Sequence, residues 1–266
     1  MEKQAQLECS NPLKSEHLHE GIKSIIACID VSDDPHDEKK FGKFEELVFS
    51  DNVHNIENVN YSAKPEMLKE TNFKNAGEQT YIISTIDDAN KFSKTLRNCT
   101  GIVVAGQDKE TGKDISFMSH EDPETFVQSE NGSESFARDL RSRLLEIKER
   151  CVPETIDAII AGGNYFANVY SEKYDKKRRD TYSDSVALLS REIKDAFGFE
   201  PVVITGPKAF PGSEHIFYNN AERQLHILRP RTGDETSESY LPKDFAEQEE
   251  RWAKSPNKLI EENDDE

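Results

Sequence analysis

The chain has 266 residues, a net charge of −18, 35% hydrophobic residues and four cysteines, with a mean hydropathy of −0.78. That length suits one large or two small domains with a real core, and the acidic balance argues against a nucleic-acid binder, which must cover phosphates with Lys and Arg. No stretch approaches the ~20 apolar residues that cross a bilayer, and the opening Met1-Glu2-Lys3-Gln4-Ala5-Gln6 lacks the apolar segment of a cleaved signal. Neither nucleic acid nor membrane is therefore expected as a partner, and the expected location is cytoplasmic, with export without a cleaved signal left open.

Residues 1–75 are polar and read as an N-terminal extension, partly structured. Within it, 21–31 and 41–49 are candidate strands whose pairing cannot be assigned, and 51–78 is a long connection with room for one short helix. Thr80-Tyr81-Ile82-Ile83-Ser84-Thr85-Ile86 is rich in β-branched and aromatic residues, as strands are. Two apolar runs follow, 99–106 and 112–120, joined by a polar stretch with two glycines, so they are expected to fold back as an antiparallel hairpin. In 135–150, Phe136, Leu140, Leu144 and Ile147 recur at helical spacing. A buried strand over 155–163 ends in Gly162-Gly163, which allow a turn or a close backbone approach.

A polar loop over 164–180 carries Lys176-Lys177-Arg178-Arg179, and a second amphipathic helix over 184–197 follows it. Next come a strand over 201–205 and a closing hairpin of Ile216-Phe217-Tyr218 with Gln224-Leu225-His226-Ile227-Leu228 around Asn219-Asn220. Beyond these, 242–253 is amphipathic and 261–266 is an acidic tail. Hairpins dominate one part and helix-linked strands the other, which predicts a layered α+β domain rather than a doubly wound parallel sheet. The expected division is 1–75, a catalytic domain over 76–230, and a C-terminal helix and tail over 231–266.

The chemistry concentrates at one place. A hairpin of the two apolar runs sets Cys99, at the start of its first strand, beside His120, at the end of its second. A thiol with a neighbouring imidazole is what thiolate catalysis needs, although a lone Cys at a strand end is more often a small buried hydrophobe. The other cysteines, Cys9, Cys28 and Cys151, form no Cys-x-x-Cys pair with it or with each other. All four read as reduced thiols rather than zinc ligands or a disulfide scaffold.

No metal or cofactor constellation stands out. His17, His19 and His36 lie in charged segments, and His215 and His226 lie beside or within strands. Gly106-Gln107-Asp108-Lys109-Glu110-Thr111-Gly112-Lys113-Asp114 imitates a phosphate loop, but its glycines are one residue too far apart and Asp114 stands where Ser or Thr is needed. A tight polar turn explains it better.

Leu96-x-x-Cys99-Thr100-Gly101-Ile102-Val103-Val104, followed through a hairpin by Ile115-Ser116-Phe117-Met118-Ser119-His120, resembles the CheD family of chemotaxis proteins. More distantly it is similar to the catalytic domains of the cytotoxic necrotizing factor toxins; both groups are protein-glutamine deamidases. The resemblance covers about 79–230 and implies a CheD-like layout with Cys99 as nucleophile and His120 as its proton carrier. The family's third polar residue, six positions before the Cys, falls on Ser93, with Thr95 as an alternative. The hairpin is longer here than in the family. Arg97-Asn98 replaces a small Gly-Ser pair, and Glu121-Asp122-Pro123 follows His120 where the family continues apolar.

The function so implied is a cysteine-dependent amidohydrolase that deamidates glutamine side chains of a protein substrate. Backbone N–H groups near Asn98 to Thr100 would hold the oxyanion, and no cofactor is needed. A catalytically silent CheD-like binding module is the alternative, and a different thiol enzyme is a third possibility. Candidate docking features are the basic run 176–179, the loop 164–175 and the acidic surface. The oligomeric state, the target protein and the choice between water and an amine as acceptor are left open.

Overall fold

The computed structural model describes Cys9 and residues 12–14, 24–32, 52–56, 74–75, 80–96, 99–123, 132–163, 172–205 and 214–230. Among them are twelve strands: β1 (Pro12–Lys14), β2 (Ile26–Ser32), β3 (Val53–Asn55), β4 (Lys74–Asn75), β5 (Thr80–Ile83), β6 (Asn90–Leu96), β7 (Thr100–Gln107), β8 (Asp114–Glu121), β9 (Asp157–Gly162), β10 (Val202–Thr205), β11 (Glu214–Asn219) and β12 (Gln224–Pro230). Two α-helices accompany them, α1 (Gly132–Arg150) and α2 (Glu172–Phe197). The strands form two six-stranded sheets, β1-β2-β12-β11-β6-β3 and β10-β9-β7-β8-β5-β4. The mixture is α+β, as the alternation of hairpins and helix-linked strands predicts.

Two apolar clusters stack the layers. One joins Ala27, Ile29, Leu96, Ile216 and Ile227 of the first sheet to Val103, Ala105, Met118 and Ile159 of the second, so the sheets pack face to face. The other joins the opposite face of the second sheet, through Ile102, Val104, Phe117 and Ile160, to Phe136, Leu140, Leu144 and Ile147 of α1 and Leu189 and Ile193 of α2. The second sheet is thus covered on both sides, which is why β7 and β9 read as nearly continuous apolar runs. Neither helix is long and apolar enough to cross a membrane.

Residues before 76 supply four strands to the two sheets. β2 runs parallel to β12 along its whole length, from Ile26 opposite Gln224 to Ser32 opposite Pro230, and Ile25, Ala27, Ile29 and Ile56 belong to the core between the sheets. The expected strand over 41–49, most of the connection over 51–78, the loop 164–171 and the stretch 231–266 lie outside the described residues.

Two expectations are corrected. Cys9 and Cys28 are joined in a disulfide, so these two are not reduced thiols; Cys99 and Cys151 are not disulfide-bonded and are buried. β1 lies antiparallel to β2 with Pro12 opposite Cys28, and this pairing, invisible in a spacing of 19 residues, brings the two Cα atoms to 5.0 Å.

α2 starts at Glu172, so the basic run 176–179 is helical rather than part of a loop. Lys, Arg and Glu are good helix formers, and no Gly or Pro interrupts 172–197. β6 was not foreseen, because its inward positions carry polar Lys91 and Ser93, both fully buried, which break the apolar alternation.

The turn of the β7–β8 hairpin is the polar one expected. Asp108 Oδ1 accepts hydrogen bonds from the backbone N–H groups of Glu110 at 3.0 Å and Thr111 at 2.9 Å, and Gly112 takes φ +68°.

A candidate thiol–imidazole site between the sheets

The hairpin register pairs Thr100 with Glu121 and Val103 with Met118. On the other side of β8, His120 lies opposite Ile82 of β5. Side chains alternate along a strand, so Cys99 shares a face with Val103, and His120 shares that same face with Met118. Val103, Met118, Ile82 and Cys99 all belong to the core between the sheets. Sulfur and imidazole therefore occupy one face of one sheet.

Gly101 falls opposite His120 in this register, which makes Cys99 the diagonal neighbour of His120. Such neighbours are about 7–8 Å apart at the backbone, within reach of a long or aromatic side chain. A Cβ at position 101 would lie 2.6 Å from the Ser119 carbonyl oxygen. Gly101 itself puts no side chain between them, and Leu96 Cδ2 and Ile216 Cδ1 of the facing sheet pack over it, each 3.6 Å from where its Cβ would stand.

Ser93 reaches the pair from β6 in the facing sheet. Its Oγ lies 2.7 Å from His120 Nδ1. The register between β6 and β11 shifts, with Leu96 opposite Glu214 but Ser93 opposite Ile216. The extra residue in β6 lets Ser93 and Leu96, three positions apart, both face inward. The side chain of the alternative, Thr95, lies outside the described set, as does Asn98.

His120 Nε2 is buried without a hydrogen-bond partner among the described residues. Burial pushes the imidazole down to about 4, so it is neutral at ordinary pH. Both members of the pair are buried rather than open to solvent: Cys99 is 8% exposed and His120 1%. The first sheet lies across the face that carries them.

Two glycines and a helix hold the start of β7. Gly162 and Gly163 take φ +91° and +84°, and the Gly163 N–H donates to the Cys99 carbonyl at 2.8 Å. A Cβ on Gly162 would lie 2.6 Å from that same carbonyl oxygen, and one on Gly163 would collide with the ring of Tyr182. On the helix-facing side, Thr100 Oγ1 donates to Glu121 Oε1 at 3.1 Å and lies 3.1 Å from Ser185 Oγ of α2. Glu121 is fully buried, and burial pushes its carboxyl up to about 8.

Charged residues absent from the sequence reading lie at this end of the sandwich. Glu214 and Arg229, both fully buried, are 2.7 Å apart at Oε2 and Nη2. Each continues an inward-facing apolar series, Glu214-x-Ile216-x-Tyr218 and Leu225-x-Ile227-x-Arg229, and a charge at such a position was the available signal. Cys151, the other thiol without a disulfide, is fully buried, and burial pushes it up to about 11. Among the described residues, no group of three or more His, Cys, Asp or Glu is gathered as a metal site. Comparison of the sequence with protein-family models and with curated proteins finds no match.

Proposed function

We propose that the chain is a cysteine-dependent amidohydrolase that deamidates glutamine side chains of a protein substrate, with Cys99 as nucleophile, His120 as proton carrier and Ser93 as its positioning residue. The observation that carries this reading is the Ser93–His120 contact at Nδ1. It occupies one ring nitrogen and leaves the other, buried and unpartnered, on the face that holds Cys99. In the tautomer whose Nδ1–H donates to Ser93 Oγ, Nε2 is an acceptor. A third group fixing the tautomer in this way is the logic of hydrolytic triads.

With the imidazole neutral, catalysis starts from a thiol rather than a preformed ion pair. Cys99 gives its proton to Nε2 as Sγ attacks the carboxamide carbon, and backbone N–H groups at the start of β7 face the oxyanion. His120 returns the proton to the departing nitrogen, so ammonia leaves and a thioester remains. A water that His120 deprotonates opens the thioester, giving glutamate and the original thiol.

The Cys9–Cys28 disulfide bears on where this happens. Such bonds persist outside reducing compartments, which supports delivery beyond the cytoplasm over a cytoplasmic role. A CheD-like module without catalysis is the second reading, favoured by the low exposure of Cys99 and His120. Mass spectrometry of a protein pool incubated with the wild type and with Cys99→Ser separates the two. Glutamine-to-glutamate conversion that disappears in Cys99→Ser supports the enzyme, and identical pools leave the binding module.

A further inference from the structure

Glu214 and Arg229 deserve their burial explained, because two charges taken out of water cost more than their mutual attraction usually returns. Glu214 opens β11 and lies across from Arg229 on β12, in step with His215 opposite Leu228. Alternation with Ile216 and Tyr218, and with Leu225 and Ile227, all members of the core between the sheets, sets both charges on the inner face of the first sheet.

β11 crosses the start of β7 there: Ile216 Cδ1 and Leu96 Cδ2 each lie 3.6 Å from where a Cβ at Gly101 would stand. Glu214 lies opposite Leu96, and the Leu96 side chain also packs against Gly162 beside the Cys99 carbonyl, which puts Glu214 at the end of β7 where Cys99 stands. Glu214 Oε1 has no hydrogen-bond partner among the described residues.

Resting on the deamidase reading, we propose that Glu214, held by Arg229, is the specificity-determining residue that selects an uncharged carboxamide at Cys99 and rejects a carboxylate. Oε1 accepts a hydrogen bond from the –NH2 of the entering amide, which has two N–H donors to offer. The carboxylate left by hydrolysis has none. It meets the negative charge of Glu214 instead, which favours its release. Primary amides are thus the substrate class, with acids excluded by charge rather than by size.

Iodoacetamide and iodoacetate test this without knowledge of the target protein, since they share a leaving group and a size and differ as carboxamide and carboxylate. The rate of each at Cys99 of the full native chain is read by peptide mass spectrometry. Burial pushes Glu214 up to about 7 against the pull of Arg229, so the reaction is run above that pH. The pair variant Glu214→Gln with Arg229→Gln removes one charge of each sign, which keeps the net charge at −18 and leaves no buried charge uncompensated.

The amide-to-acid rate ratio is expected to fall about tenfold from the wild type to the pair variant, the scale of one nearby charge in a partly desolvated site. Should the variant not fold, the same ratio at Cys99 of the urea-unfolded wild type supplies the comparison, with the same expected fall. Alkylation at an unchanged ratio overturns the inference alone. A Cys99 that takes up neither reagent in the folded chain overturns the deamidase reading and the inference with it.

Discussion

Glu121→Gln is expected to stabilise the protein, by an amount that grows with pH. The wild-type carboxyl, pushed by burial from its ordinary 4.5 to about 8, keeps a proton that the unfolded chain has already released. A raised folded value means the stabilising linkage is complete below 4.5 and is lost as pH rises through 8. Each pH unit inside that window costs the wild type about 1.4 kcal/mol, so at pH 7 the deficit is about 3 kcal/mol.

Glutamine keeps the oxygen that accepts from Thr100 and has no proton to lose. Urea unfolding of both proteins across the window measures the difference. It should be near zero at the acid end, rise steadily, and correspond to roughly 10 °C in Tm at neutral pH. Glu214, raised to about 7, titrates with the same sign. His120 and His226, both lowered from 6.5 to about 4, lose stability in the opposite direction as pH falls. All three are common to both proteins and cancel in the difference. A difference that stays flat with pH would refute the reasoning.

Ser93→Ala removes the 2.7 Å contact to His120 and leaves both ring nitrogens unpartnered in the core. It should cost about 1–3 kcal/mol of stability and slow Cys99 alkylation, with Ser93→Thr restoring the rate; an unchanged rate in Ser93→Ala contradicts the positioning role. Gly163→Ala, at φ +84° and against the Tyr182 ring, should lower stability by about 2 kcal/mol or more, and a thermal melt equal to wild type would contradict that packing. Thiol titration of the unreduced, urea-unfolded chain should find Cys99 and Cys151 alone. Reduction should then cost about 3 kcal/mol, and four thiols before reduction would contradict the Cys9–Cys28 bond.

Much of the fold was legible because periodicity reports burial. The β7–β8 hairpin, β9, the last turns of α2 and the β11–β12 hairpin all show as apolar runs bounded by Gly, Asn or Asp. β6 was hidden because two of its buried side chains, Lys91 and Ser93, are polar, and Lys91 is held inside by its ion pair with Asp87 at 2.7 Å. The start of α2 was missed because a run of Lys and Arg looks like a loop when no apolar stripe accompanies it.

At the site, the shared face of Cys99 and His120 followed from hairpin register alone. The facing sheet did not: its strands come from both ends of the chain, and their crossing over Gly101 depends on long-range packing that no local pattern encodes. Glu214 and Arg229 stayed unread for the same reason, since their meaning arises only once β11 lies over β7.

The rate of Cys99 alkylation by iodoacetamide in the wild type and in His120→Asn, both shown folded by circular dichroism, tests most directly whether sulfur and imidazole act together. Loss of the general base should slow the reaction about hundredfold at neutral pH. Equal rates in the two proteins would mean that Cys99 reacts, or fails to react, without His120, and the thiol–imidazole site would not exist.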